Sequence, residues 1–329
     1  MWLLSTDRAE LQFFPTSYAV DEGYVILSHT WSDDESTFQD VQELKNQCKI
    51  LDQIPRDHIS SKIRNCCIVA ERHGFRWVWI DTCCIDKTSS TELSEAINSM
   101  FRWYAASEMC YAFLVDVPSN DVLEAHDSAF RRARWHTRGW TLQELVAPVD
   151  ILFFSKDWRC IGRKNDMATL LGEITGIREQ VLTREAAFSD LSIAERMSWA
   201  SKRTTTRIED EAYCLLGLFG VNMPTIYGEG RQAFHRLQEE IMKLSPAFDS
   251  SLFVWGDWVF RGIHSPIPPL NPQGVFGDSV QFRLLAPTPR SFMRPFDGRI
   301  VKFTPISNEP LQPYLPHQWK PKHVGIFLA

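Results

Sequence analysis

The feature that most restricts what this chain can fold into is a fourfold alternation across residues 24–154. Short apolar runs end in polar residues, and stripes of helical period separate them. Tyr24-Val25-Ile26-Leu27 closes on Ser28-His29, and Trp77-Val78-Trp79-Ile80 closes on Asp81. Cys110-Tyr111-Ala112-Phe113-Leu114-Val115 closes on Asp116, and Val149 to Phe154 makes a fourth run. Runs this short and uniformly apolar suit strands buried on both faces. Between them, Ile63, Cys66, Cys67 and Ala70 recur at helical spacing, with His73-Gly74 as the stop. Leu93, Ala96, Ile97, Met100, Phe101 and Tyr104 form a second stripe, opened by Ser90 or Thr91 as cap. Thr30 to Thr37 reads as an acidic loop, and Leu11, Phe13 and Phe14 as an edge strand. The alternation predicts an α/β fold with a parallel sheet flanked by helices.

In such a sheet, ligands settle beyond the carboxyl ends of the strands, where the connection order reverses. The residues predicted there are Ser28, His29, Asp81, Thr82 and Asp116. Arg138-Gly139-Trp140-Thr141-Leu142-Gln143-Glu144-Leu145 follows the third strand. Leu142 and Leu145 share one face of a short helix, which lets Glu144 reach the same rim. Alone, this segment reads as a core tryptophan beside a solvated glutamate. Its place after the third strand makes it the leading site, because apolar neighbours raise a carboxyl pKa and a flat ring stacks on a substrate.

Composition excludes several classes. A net charge of −6 argues against a nucleic-acid binder, whose footprint is basic. No apolar run approaches a membrane span. Met1 to Leu4 is followed at once by Ser5, Thr6, Asp7 and Arg8, too short for a signal peptide. The 8 cysteines include the adjacent pairs Cys66-Cys67 and Cys83-Cys84, which suit neither a disulfide framework nor a metal knuckle. A cytoplasmic protein without a metal is therefore expected. Ser28-His29 lacks the elbow motif of a serine hydrolase, and neighbours on a strand point to opposite faces. Cys83 and Cys84 read as small buried hydrophobes. Arg131, Arg132, Arg134, His136 and Arg138 form a basic run suited to phosphate; Arg134 and Arg138, four apart, are candidates for a pyrophosphate clamp.

Beyond Ser155 the pattern turns helical. Ser192-Ile193-Ala194-Glu195 is a capping box for a helix through Trp199, Arg207 to Phe219 reads as a second helix, and Phe234, Leu237 and Ile241 line a third. From residue 251 prolines cluster between short apolar runs. The expected organisation is a core over 1–157, a helical extension over 158–250 and a Pro-rich, β-rich tail over 251–329.

Several of these blocks carry a family resemblance. Tyr24 to Trp31, Trp79-Ile80-Asp81-Thr82-Cys83-Cys84-Ile85-Asp86-Lys87 and Arg138 to Leu145 together resemble the fungal heterokaryon-incompatibility (HET) domain. Glu195 to Ala200, Arg207 to Tyr213, Tyr227 to Gly230 and Leu284 to Pro287 are also similar to that family. The resemblance implies a role in non-self recognition ending in programmed cell death. The HET domain in turn resembles the TIR domain, a flavodoxin-like parallel signalling fold. Trp140-Thr141-Leu142-Gln143-Glu144-Leu145 is similar to the plant TIR segment Trp-Cys-Leu-x-Glu-Leu, whose Glu cleaves NAD⁺, at every position but Thr141. The resemblance makes Glu144 the catalytic candidate, with NAD⁺ or a related nucleotide as substrate and no resident cofactor. Ser28, His29, Trp31, Asp81, Thr82, Arg134, Arg138 and Trp140 are the candidate contacts. It further implies a homo-oligomer when active and an incompatibility or NLR-type partner protein, or alternatively a non-catalytic module that acts by self-assembly.

Overall fold

The computed structural model describes residues 1–32, 34–244, 249–253 and 285–293. Two strands open the chain, β1 (Trp2–Ser5) and β2 (Leu11–Phe13). β3 (Val25–His29) follows, with all five residues buried. The helices α1 (Phe38–Leu51) and α2 (Ser61–Arg72) lead to β4 (Trp77–Trp79), and α3 (Ser90–Ala106) leads to β5 (Met109–Phe113). A 3₁₀ turn (Arg134–Thr137) and α4 (Thr141–Val146) precede β6 (Ile151–Phe154) and β7 (Cys160–Arg163).

The strands form one seven-stranded sheet in the order β2-β1-β4-β3-β5-β6-β7. Its centre, β4-β3-β5-β6, is parallel throughout. The edges are antiparallel, with β1 beside β4 and β2, and β7 beside β6. The parallel sheet expected from the sequence thus forms the middle of a mixed one. From β3 the chain crosses to β4 on one side, then returns past β3 to β5 on the other. The connection order reverses between the carboxyl ends of β3 and β5, which is where such sheets bind ligands.

Local chemistry sets the element ends. Thr37 and Asp40 form a reciprocal capping box on α1, a helix that sequence periodicity did not reveal. Only Phe38, Val41 and Cys48 of its 14 residues are buried, so its apolar stripe is too thin to stand out. The cap of α3 is Ser89, one residue before the expected Ser90 or Thr91; its hydroxyl accepts from the Glu92 amide at 3.3 Å. β4 stops at Trp79 because the amides of Cys83 and Cys84 fold back onto the Ile80 carbonyl at 3.2 and 2.8 Å. This turn carries Asp81 and Thr82 over the rim of the sheet. α2 ends at His73, and Gly74 follows at φ +87°, a conformation that favours glycine.

The extension comprises α5 (Ala168–Thr175), α6 (Glu179–Leu182), α7 (Ile193–Ser198), α8 (Asp210–Tyr213), α9 (Leu216–Phe219) and α10 (Gln232–Leu244). The single helix expected over Arg207 to Phe219 is two short ones, joined through Cys214 and Leu215. Ser192 caps α7 as expected, but the Glu195 carboxylate turns away to grip Arg178 in a bidentate pair at 2.6 and 2.7 Å. One apolar cluster runs from Met1 through Leu252 to Ala286 and Phe292. Most of the expected β-rich tail over 251–329 lies outside the described residues; its described pieces are 3₁₀ turns at Ser250–Phe253 and Pro289–Phe292. Buried Gln238 clips the latter segment, donating to the Ala286 carbonyl and accepting from its amide, both at 2.9 Å.

Gln238→Ala strands both buried backbone groups of Ala286. Thermal denaturation is expected to show a loss of about 1–3 kcal/mol, with new proteolytic cleavage near residue 286.

Candidate active site at the sheet switch point

Ser28 lies near the carboxyl end of β3, fully buried, where its hydroxyl meets two other segments. It donates to Glu144 Oε2 at 2.5 Å and accepts from the Trp135 indole Nε1 at 2.7 Å. A serine has one hydroxyl proton, so the Trp135 contact occupies a lone pair and leaves that proton for Glu144. β3, the 3₁₀ turn and α4 therefore converge on one oxygen atom. All six residues of α4 are buried, and the helix is held at its start by Thr141. The Thr141 hydroxyl donates toward the carbonyls of Trp135 at 2.5 Å and Arg138 at 3.0 Å. Arg203 Nη1 then donates to Thr141 Oγ1 at 2.8 Å and to the Arg138 carbonyl at 2.9 Å.

Glu144 is 7% exposed, and its carboxyl is pushed up to about 8. Burial is the main cause, with the charge of Asp81 adding to it. The Ser28 hydrogen bond and the guanidiniums of Arg203 and Arg138 pull in the opposite direction. Tyr104 lies beside it and donates to the Leu27 carbonyl at 3.1 Å.

A second group sits at the rim. The His29 ring is buried between Asp81, 3.7 Å from Nδ1, and Glu35, 3.6 Å from Nε2. Burial raises the Glu35 carboxyl, but His29 and Lys62 outweigh it and draw Glu35 down to about 2. The Lys62 ammonium pairs with Glu35 and faces Ser32 Oγ at 3.3 Å. The Trp31 indole, 54% exposed, donates to Asp81 Oδ2 at 2.7 Å and carries the Lys87 ammonium 3.8 Å from its centroid. Thr82 is buried with its hydroxyl unpartnered among the described residues.

The structure brings together Ser28, His29, Trp31, Asp81 and Glu144 and separates others. The Arg134 guanidinium reaches the same rim, donating to Thr30 Oγ1 at 3.1 Å and the Trp31 carbonyl at 3.3 Å. Arg138 instead donates to Thr206 Oγ1 at 3.0 Å. The two do not share a helix, because a 3₁₀ turn ends at Thr137 and Arg138 is extended. They hold different elements rather than forming one clamp. Trp140 lies beside Asp210 in the extension, and the indole on the Ser28–Glu144 pair is Trp135, which sequence reasoning did not single out. Its position inside the run from Arg131 to Arg138 was the signal available. That run is also less basic than it reads: burial, then the charge of Arg203, pushes His136 down to about 3. Arg131 is committed to Glu173 at 2.7 Å.

The Ser28 proton goes to Glu144 rather than His29, which removes the geometry of a serine hydrolase. Cys83 is fully buried, and its neighbour Cys84 together with burial raises its thiol well above the ordinary range. A thiol so held is a poor nucleophile. Among the described residues, no cluster of three or more His, Cys, Asp or Glu has a metal-holding arrangement. No helix among them is long and apolar enough to cross a membrane.

Comparison with known proteins gives three findings. Residues 24–132 match the family of the heterokaryon incompatibility protein (HET), and residues 232–318 match a domain of unknown function, DUF8212. Over 228 residues the chain is 45% identical to the vegetative incompatibility protein HET-E-1 of Podospora anserina; this covers 67% of the chain but 16% of that much longer protein. No solved structure matches the chain. Glu144 lies beyond the residues matched to the HET family, on the helix that its Ser28 bond ties to the matched strand β3. Over residues 24–132 the chain carries the heterokaryon-incompatibility (HET) domain, the family its motifs pointed to.

Proposed function

We propose that the chain is an incompatibility cell-death effector that cleaves NAD⁺ at the nicotinamide–ribose bond, with Glu144 as the catalytic residue. The observation that carries this reading is the 2.5 Å bond from Ser28 to Glu144 at the switch point of the sheet. Nicotinamide leaves NAD⁺ as a neutral molecule from a cationic nitrogen, so the step needs no general acid. The C1′–N bond breaks with its electron pair going to nicotinamide, and positive charge develops on the ribose. A carboxylate beside C1′ stabilises that oxocarbenium-like state, water adds to C1′, and a proton is released with ADP-ribose. The cationic substrate itself favours ionisation of a carboxyl poised near 8. Trp31, exposed at the rim, offers a ring to stack on, and Arg134 beside it suits the pyrophosphate. Ser28 is a positioning residue that orients and acidifies Glu144. In this reading the protein acts in the cytoplasm, self-assembles when active and answers to an incompatibility or NLR-type partner.

One observation favours a second reading, a non-catalytic TIR-like module that signals by assembly. Glu144 is only 7% exposed, as a structural acid would be. The two readings part on one measurement, nicotinamide release by purified protein. Under the first, Glu144→Gln and Glu144→Ala abolish release and relieve killing on expression. Absence of release from monomer and assembly alike, with killing independent of Glu144, would sink the enzyme reading.

Ser28→Ala is expected to slow release by about ten- to a hundredfold. It also moves the rising limb of the pH–rate profile to higher pH, because the hydrogen bond that holds Glu144 down is gone. A purely structural role for Ser28 leaves that limb unmoved.

The raised carboxyl has a thermodynamic counterpart. The folded pKa near 8 lies above the ordinary 4.5, so folded protein keeps a proton that unfolded chain releases between those values. The contribution of Glu144 to wild-type stability therefore falls from pH 4.5 to pH 8. Glu144→Gln lacks this contribution, so its stability relative to wild type rises over that window by on the order of a few kcal/mol, read as a widening melting-temperature gap.

A further inference from the structure

A cleft of about 440 Å³ opens between Gly139, just ahead of α4, the segment 200–214, Arg231 and the clipped segment 287–290. That volume lies in the range of roughly 300–1,000 Å³ typical of small-molecule sites. Three guanidiniums line it, Arg203, Arg231 and Arg290, against a single carboxylate, Glu211. In a chain of net charge −6 this is a local inversion of sign. Burial raises the Glu211 carboxyl, and Arg231 and Arg290 oppose that rise, so both guanidiniums act on the same cleft wall.

Arg203 adds an incompletely satisfied guanidinium to the cleft lining. Its Nη1 is committed to Thr141 and the Arg138 carbonyl, and its Nε to the Trp199 carbonyl at 3.3 Å. Nη2 is buried with no partner among the described residues. A buried guanidinium N–H without an acceptor is costly, and a phosphoryl oxygen is the acceptor a planar cationic donor matches best. Thr288 adds a hydroxyl on the facing wall. Gly139 keeps the cleft floor low, since a Cβ there would come within 2.4 Å of Thr205 Cγ2.

We infer that this cleft is a second ligand site, separate from the Glu144 site, which takes a small molecule bearing a phosphoryl or pyrophosphoryl group. Arg203 is the anchor at its base, and Arg231 and Arg290 are the walls. Because Arg203 also holds the first turn of α4, occupancy of the cleft stiffens the helix that carries Glu144. Gln238, through Ala286, and the buried Phe292 hold the segment bearing Arg290 over the cleft.

The test is calorimetric titration of the 329-residue chain at low salt with inorganic pyrophosphate and, separately, with ADP. Both are expected to bind; equal affinities assign recognition to the phosphoryl groups alone, and tighter ADP assigns it to a nucleotide. Arg231→Ala with Arg290→Ala, both exposed positions, weakens binding by roughly tenfold or more. Glu211→Gln strengthens it, an effect that misfolding does not produce. Glu144→Gln leaves it unchanged, so this site stands or falls apart from NAD⁺ cleavage. No binding by wild type, or affinities that the arginine and Glu211 variants leave unaltered, overturns the inference.

Discussion

A carboxyl buried against the end of a sheet has to be neutralised or hydrogen-bonded, and the way Glu144 meets that demand organises the centre of this molecule. Its partner is a serine whose own lone pair is filled by an indole, so strand β3, the turn after Ala133 and helix α4 are fixed against each other through one hydroxyl. α4 has six residues, far too few to be helical alone. It persists because Thr141 ties its first turn to Trp135 and Arg138, while Arg203 clamps the same groups from the extension. The extension is thus structurally part of the site, although it lies beyond the sheet.

Two carboxyls within this one region occupy opposite electrostatic settings. Glu35 faces an ammonium and an imidazole and lies near 2, whereas Glu144 is withdrawn from solvent beside the Asp81 charge and lies near 8. Divergence of this kind is what separates a permanently ionised group, which holds other side chains in place, from one that changes state at neutral pH. The rim of Glu35, His29, Asp81 and Lys62 is the fixed frame, and Glu144 is its titratable centre.

The central sheet was legible in the sequence because its four parallel strands are buried on both faces and leave uninterrupted apolar runs. What escaped was whatever lacked that signature. β1, one strand in from the β2 margin, buries only Leu3 and Leu4; the edge strand β7 has no buried residue, and α1 buries only three side chains. The catalytic candidate was found from its place after the third strand, but the roles of the tryptophans were not. Trp140 and Trp135 are both large aromatics near Glu144 in sequence, and only the break between the 3₁₀ turn and α4 decides which one faces inward. Lys62 and Arg203 were equally invisible, since each comes from an element whose approach depends on tertiary packing. The β-rich tail stays an expectation, as most of it lies outside the described residues.

The antiparallel borders of the sheet bear on the proposed self-assembly. β2 is three residues long at one margin, and at the other β7 ends in Arg163, which is engaged with Asp150. Short margins closed by charge are poor templates for adding another strand. The parallel strands that build the site are two positions or more from one margin and one from the other, with no free backbone of their own. Growth by strand addition is therefore disfavoured at either border, and the proposed self-assembly would have to run through the helical faces.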